Sequence, residues 1–422
     1  MSLSNAKMYE LDNFVIGISK KLSNIEYVQN ILGSNTVEYK SSSVAVSYPA
    51  LCILFSELQF HFPECKFNEY AHQYLEVVNN YLGKNNVYDI SLFDGLCGVG
   101  FAANCMSDNG RRYQSFIEKL NEYIVDIVDS NILKYGKMTL NEFCYDTMYG
   151  LTGTANYLLN FKSEDRVNIA LQNILQYLTD ICKIGDDGYP KFVLRADQSC
   201  LLPLTNNHRI RYVNLGVSHG IPGILLILCK TYEQGIYVSN QLETIRFVSE
   251  YIFDNCIKNN METFWETQKI MGIEHKAIPS RDAWCYGTPG VAYSLLIASK
   301  LLKNEEMQNL AISSMRCSLK RLRDVISPTF CHGLSGLCCL ARKFYECTSD
   351  NYFYEMYIEL LGYILDSYNA KYPFGFKDRE LEKGQIVDKD EIGILTGTSG
   401  VLLTILSCYK PVKTKWDSLF LL

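Results

Sequence analysis

The chain has 422 residues, 48% of them apolar and 20% charged, with a formal net charge of −6. That is ample material for a large buried core, and the mild, scattered negative charge offers neither a basic stripe for nucleic acid nor a polybasic cluster for an anionic membrane surface. Apolar runs such as Ile224 to Cys229 and Val401 to Cys408 fall far short of a membrane helix, which needs ~20 residues.

The N-terminal segment MSLSNAKMYELDNFVIGISKK lacks the apolar stretch and cleavage site of a secretory signal. A soluble, cytoplasmic protein is therefore expected, without nucleic-acid partners or direct membrane insertion. Its sixteen cysteines are expected to be mostly reduced thiols that pack as small hydrophobes.

In chain order, the predicted helices begin at a recurring pair of small residues. The first copy, SYPALCILFSEL, is weak, with Ser47 and Ala50 in place of glycines. Stronger copies follow at Gly95/Gly98 (GLCGVGFAA), Gly150/Gly153 (GLTGTANYLL), Gly220/Gly223 (GIPGILLIL), Gly287/Gly290 (GTPGVAYSLL), Gly333/Gly336 (GLSGLCCLA) and Gly397/Gly400 (GTSGVLLTIL). Between them lie amphipathic segments at Tyr113 to Leu133, Asp165 to Ile184, Ser239 to Ile257, Glu305 to Leu322 and Asn351 to Tyr368.

The first helix of each pair is apolar nearly all round, as an inner helix would be, and the second carries charge on one face, as an outer helix would. This predicts an all-α fold, an α/α toroid of about seven helix pairs in one domain spanning 1–422, with an open superhelix as the alternative. Three long connections, Gly185 to Ser218, Lys258 to Tyr286 and Ala370 to Thr396, lead into inner helices. They should share one face and carry function. Lys191 to Arg195 and Thr263 to Ile270 are predicted short strands within them.

If the repeats superpose, equal offsets mean neighbouring places. Immediately before the first glycine stand Asp94, Tyr149, His219, Tyr286, His332 and Thr396. Five of these six are ionisable, which is unexpected at the start of an apolar helix. One position earlier stand Phe93, Met148, Ser218, Cys285, Cys331 and Leu395, so two cysteines share an offset in consecutive repeats. Cys285, Cys331 and His332 thus form a candidate Cys2His zinc set with one open tetrahedral position, the pattern of a catalytic site. The alternative is three ordinary packed residues. His219 is a candidate proton donor or acceptor, and Asp146 reads as a helix cap unless it has a partner.

Asp146 in CYDTMYG, His219 in NLGVSHGIPG, Arg281 and Cys285 in RDAWCYGTPG, and Cys331-His332 in CHGLSG together resemble the lanthionine synthetase C family. These are the cyclases of lantibiotic biosynthesis, and the likeness is to the nisin cyclase type. It covers essentially the whole chain and departs only in the first repeat, which lacks both glycines. It implies one zinc on Cys285, Cys331 and His332, an active site lined by Asp146, His219, Arg281 and Tyr286, and a small extension beside the toroid.

It further implies addition of precursor-peptide thiols to dehydroalanine or dehydrobutyrine. On this reading His219 protonates the α-carbon, Asp146 orients it or takes the thiol proton, Arg281 steadies an oxyanion or structures its loop, and Trp284 only packs. The implied partners are a dehydrated leader-bearing precursor, a dehydratase and an export transporter, with any membrane contact made through them. A zinc hydrolase and a noncatalytic thiol- or glutathione-binding scaffold are the alternatives. Protein prenyltransferases share the toroid but need an isoprenoid site and a second subunit that nothing in the sequence announces.

Overall fold

A computed structural model describes residues 4–33, 41–201, 210–259, 262–274 and 276–422. Parts of two long connections, residues 202–209 and residues 260, 261 and 275, lie outside the described residues. After α1 (Asn5–Leu22) and α2 (Ile25–Gly33), the helices come in pairs. These are α3 (Tyr48–His61) with α4 (Phe67–Lys84), α5 (Leu96–Cys105) with α6 (Gln114–Tyr135), and α7 (Leu151–Leu158) with α8 (Asp165–Ile181). Then follow α9 (Ile221–Glu233) with α10 (Gln241–Asp254), α11 (Thr288–Leu302) with α12 (Glu305–Arg321), α13 (Leu334–Thr348) with α14 (Asn351–Asp366), and finally α15 (Thr398–Ser407).

The first helix of each pair is buried over most of its length, though α13 emerges in its last turns; α5 and α15 expose hardly any side chain. The second buries one stripe, as α8 does with Val167, Ala170, Leu171, Ile174, Leu175 and Leu178. Each of α3, α5, α7, α9, α11, α13 and α15 packs on the next, and α15 packs back on α3. The ring is therefore closed, which excludes the open superhelix. The seventh outer place is filled by α1, which lies on α15. The observed fold is the expected α/α toroid.

The segments feeding the inner helices are tied into a ring of backbone hydrogen bonds. Ala45 N–H donates to Phe93 O (3.2 Å), Phe93 to Met148 (3.3 Å), Thr147 to Ser218 (3.0 Å) and Ser218 to Cys285 (3.3 Å). Cys285 donates to Cys331 (3.3 Å), Cys331 to Leu395 (2.9 Å), and Leu395 back to Ala45 (3.0 Å). With Thr147 standing in for its neighbour as one donor, these are the residues two places before each small-residue pair. Buried backbone groups must find partners, and here each repeat supplies the partner of the next. Gly287 shows why the first small residue matters: its φ is +87°, and a Cβ there would lie 1.9 Å from the Arg281 carbonyl oxygen.

The three long connections hold the strands. The order β1–β2–β5, all antiparallel, is built from β1 (Leu194–Arg195), β2 (Arg211–Asn214) and β5 (Gln268–Met271). Two hairpins pair β3 (Ile257–Lys258) with β4 (Thr263–Phe264), and β6 (Asp378–Glu382) with β7 (Gln385–Lys389). The predicted strand over Thr263 to Ile270 is split, because Trp265 turns fully inward and donates from Nε1 to Ile252 O at 2.8 Å. The β6–β7 turn is Lys383-Gly384, both at positive φ, as a two-residue hairpin of the right twist requires.

The middle of the ring is filled from the far end of the sequence, by a 3-10 turn at Trp416–Phe420. Phe420 stacks on Phe330 with centroids 3.6 Å apart and meets Trp284 edge-on at 5.1 Å, while Trp284 Nε1 donates to Phe420 O at 3.1 Å. Trp284 thus has the packing role expected of it. Phe420→Ala is expected to destabilise the fold by about 3–5 kcal/mol, the range for emptying an aromatic core site, read as a lowered midpoint in urea; an unchanged midpoint would show that the plug carries no stability. All sixteen cysteines are free, and most are buried. Among the described residues no helix is long and apolar enough to cross a membrane.

Candidate active site

One residue beyond the backbone ring, at the mouth of the toroid, stand Asp94, Tyr149, His219, Tyr286, His332 and Thr396. Because the backbone ring fixes repeat next to repeat, the His219 ring lies between Tyr149 of the preceding repeat (centroids 5.9 Å, 23°) and Tyr286 of the following one (6.0 Å, 32°). Its Nδ1 is 2.6 Å from Oδ2 of Asp146. The other oxygen, Oδ1, accepts the N–H groups of Tyr149 (2.6 Å) and Gly150 (2.7 Å) as α7 begins.

Asp146 therefore caps a helix and holds a histidine at once. Burial lifts its carboxyl above the usual range, opposed by His219 and by those two N–H groups. With Nδ1–H donated to the carboxylate, Nε2 is the His219 nitrogen left for proton transfer. Tyr286 is mostly buried, and burial raises its phenol pKa; its hydroxyl accepts from Asn214 Nδ2 at 3.5 Å.

Cys285 and Cys331 occupy adjacent places in the backbone ring, which brings their thiols near enough to perturb each other. The neighbouring Cys331 side chain is the main reason the Cys285 thiol is held down to about 7, helped by the charges of His332 and Arg281 and opposed by burial. The Cys285 side chain, then burial, pushes Cys331 well above the usual thiol value.

His332 is buried beside them. Its Nε2 lies 3.1 Å from Oδ1 of Asp378 and 3.3 Å from Oε2 of Glu380, aligned as a full hydrogen bond with neither. Burial alone would lower its pKa, but the carboxylates prevail and raise it. His332, Asp378 and Glu380 form a donor triad whose atoms all lie within 4.8 Å of one another. The backbone thus brings Cys285, Cys331 and His332 to neighbouring positions, but the imidazole edge is drawn towards β6, and the donor atoms that cluster within 4.8 Å among the described residues are those of His332, Asp378 and Glu380 rather than the two sulfurs with His332. Two thiols in adjacent places with an imidazole alongside suit the sulfur and nitrogen preferences of zinc.

Arg281 is half-buried and pairs with Glu380, Nη2 to Oε1 at 2.7 Å. Three residues in this region had no role assigned from the sequence. Tyr149 gave a signal, since it shares the offset of His219 and His332. Asp378 and Glu380 sit in a long connection without a motif; only the alternation of DRELE, which puts both on one face of β6, pointed to them.

Residues 39–421 match the model of the family described as Lanthionine synthetase C-like protein. The chain is 21% identical over 377 residues to the nisin biosynthesis protein NisC of Lactococcus lactis subsp. lactis, a match covering 87% of this chain and 85% of that protein. A solved structure of nisin cyclase superposes with a TM-score of 0.82 at 19% identity, covering 97% of this chain and 98% of that one. The toroid is thus a shared fold. Since the family match takes in every inner helix and the whole backbone ring that builds the mouth, the chain belongs to the lanthionine synthetase C-like family.

Proposed function

We propose that the protein is a lantibiotic cyclase: it closes thioether rings in a dehydrated, leader-bearing precursor peptide by adding cysteine thiols to dehydroalanine or dehydrobutyrine. The observation that carries this reading is the meeting at one mouth of the Asp146–His219 pair and the Cys285/Cys331 thiols beside His332. Zinc is placed on Cys285, Cys331 and His332. When bound there it supplies a Lewis acid that favours the thiolate of an incoming cysteine, whose ordinary pKa is about 8.5.

In the addition the sulfur bonds to the β-carbon, the carbon–carbon π bond breaks, and its electron pair passes to the α-carbon and adjoining carbonyl as an enolate. A proton then completes the α-carbon, so the thiol proton is balanced and mass is unchanged. His219 Nε2 delivers that proton. Asp146 keeps Nδ1 protonated and steadies the imidazolium; one of its oxygens is on His219 and the other on two backbone N–H groups, so orientation is its role. The flanking rings of Tyr149 and Tyr286 keep the imidazole in plane. Arg281, held by Glu380, stands near enough to the thiols to lower Cys285 and offers positive charge to the enolate oxygen.

On this reading a dehydratase supplies the substrate and an export transporter removes the product, in the cytoplasm. Incubation of the zinc-loaded protein with dehydrated precursor should consume free thiols with no change in peptide mass. Thiols left intact would instead indicate a binding scaffold.

A further inference from the structure

Strand β6 belongs to none of the sequence motifs, yet it reaches into the site with two acids on one face. Asp378 is buried, and its Oδ1 accepts hydrogen bonds from Ser327 Oγ and Thr329 Oγ1, each at 2.8 Å. The same oxygen is the one 3.1 Å from His332 Nε2. Ser327 and Thr329 belong to the segment that runs into Cys331, so the carboxylate is fixed by the very stretch whose histidine it faces. Glu380 is half-exposed, and its nearer partner is Arg281 at 2.7 Å against 3.3 Å for His332.

An imidazole that ligates a metal through one nitrogen is oriented by what its other nitrogen meets. A buried carboxylate whose rotation is restrained by two hydroxyls is a fixed partner of that kind. We propose that Asp378 is the positioning residue for His332: it takes up the Nε2 edge and leaves Nδ1 as the metal-binding nitrogen. Glu380 serves chiefly Arg281. This rests on the assignment of Cys285, Cys331 and His332 as the zinc set.

The test reads metal affinity rather than turnover. Zinc binding would be measured by competition with a chromophoric chelator, and ligand type by the thiolate charge-transfer band of the cobalt-substituted full-length protein. Asp378→Asn should keep one metal per chain and the thiolate band, but weaken zinc about 10–100-fold, the usual effect of losing an outer partner of a ligating histidine. Ser327→Ala should weaken it in the same direction and less, and Glu380→Gln by less than about threefold, well below that range. Near-ultraviolet circular dichroism of the metal-free variants checks that they are folded.

Wild-type affinity in a folded Asp378→Asn protein would overturn the proposal. So would complete loss of metal in that variant, which would make Asp378 a ligand rather than a positioning residue. A wild-type protein that binds zinc without any thiolate band in its cobalt form would instead overturn the zinc assignment itself, and the two failures are separable.

Discussion

Cys331→Ala is expected to abolish stoichiometric zinc and ring formation together. Two effects coincide. One of the two proposed sulfur donors is removed, and Cys285 loses the neighbouring side chain that is the main cause of its lowered pKa. The remaining thiol, still buried, then holds its proton more tightly, and a protonated thiol is not a ligand. The loss in metal affinity should exceed the roughly 100-fold that bounds outer-partner effects. Metal analysis after dialysis, together with thiol counting on dehydrated precursor, checks both; a variant that kept one zinc per chain and closed rings would remove the metal assignment.

His219→Ala should separate the two properties. Zinc is retained, because His219 is not among the proposed ligands, whereas ring formation falls by about 10²–10⁴-fold, the range for a positioned acid or base. Asp146→Asn should move activity in the same direction, since an amide in its place no longer compels Nδ1–H to donate. Normal ring closure by His219→Ala at unchanged zinc content would exclude it as the essential proton donor.

The offset comparison made Cys285 and Cys331 neighbours before any coordinates, and the backbone ring supplies the physical reason. Residues two places before each small-residue pair donate and accept around a closed circuit, so equal offsets become adjacent positions. The same circuit sets Tyr149 and Tyr286 on either side of His219. Asp146 alone read as a cap, and the structure keeps that role while adding the histidine. Arg281 was singled out from its place in RDAWCYG, but its partner Glu380, 99 positions away, was not.

The sequence by itself determined what depends on period and spacing. Apolar periodicity separated inner from outer helices, the recurring small residues marked where inner helices begin, and the repeat count implied a ring. Only the tertiary structure decided what comes from outside the repeats. The closing outer helix is α1, from the opposite end of the chain; the centre is filled by Phe420; and β6 delivers Asp378 and Glu380 to His332 and Arg281. These contacts join segments that share no period, so no local pattern encodes them. They exist because ring closure leaves a central space to fill and a mouth over which a long connection can fold.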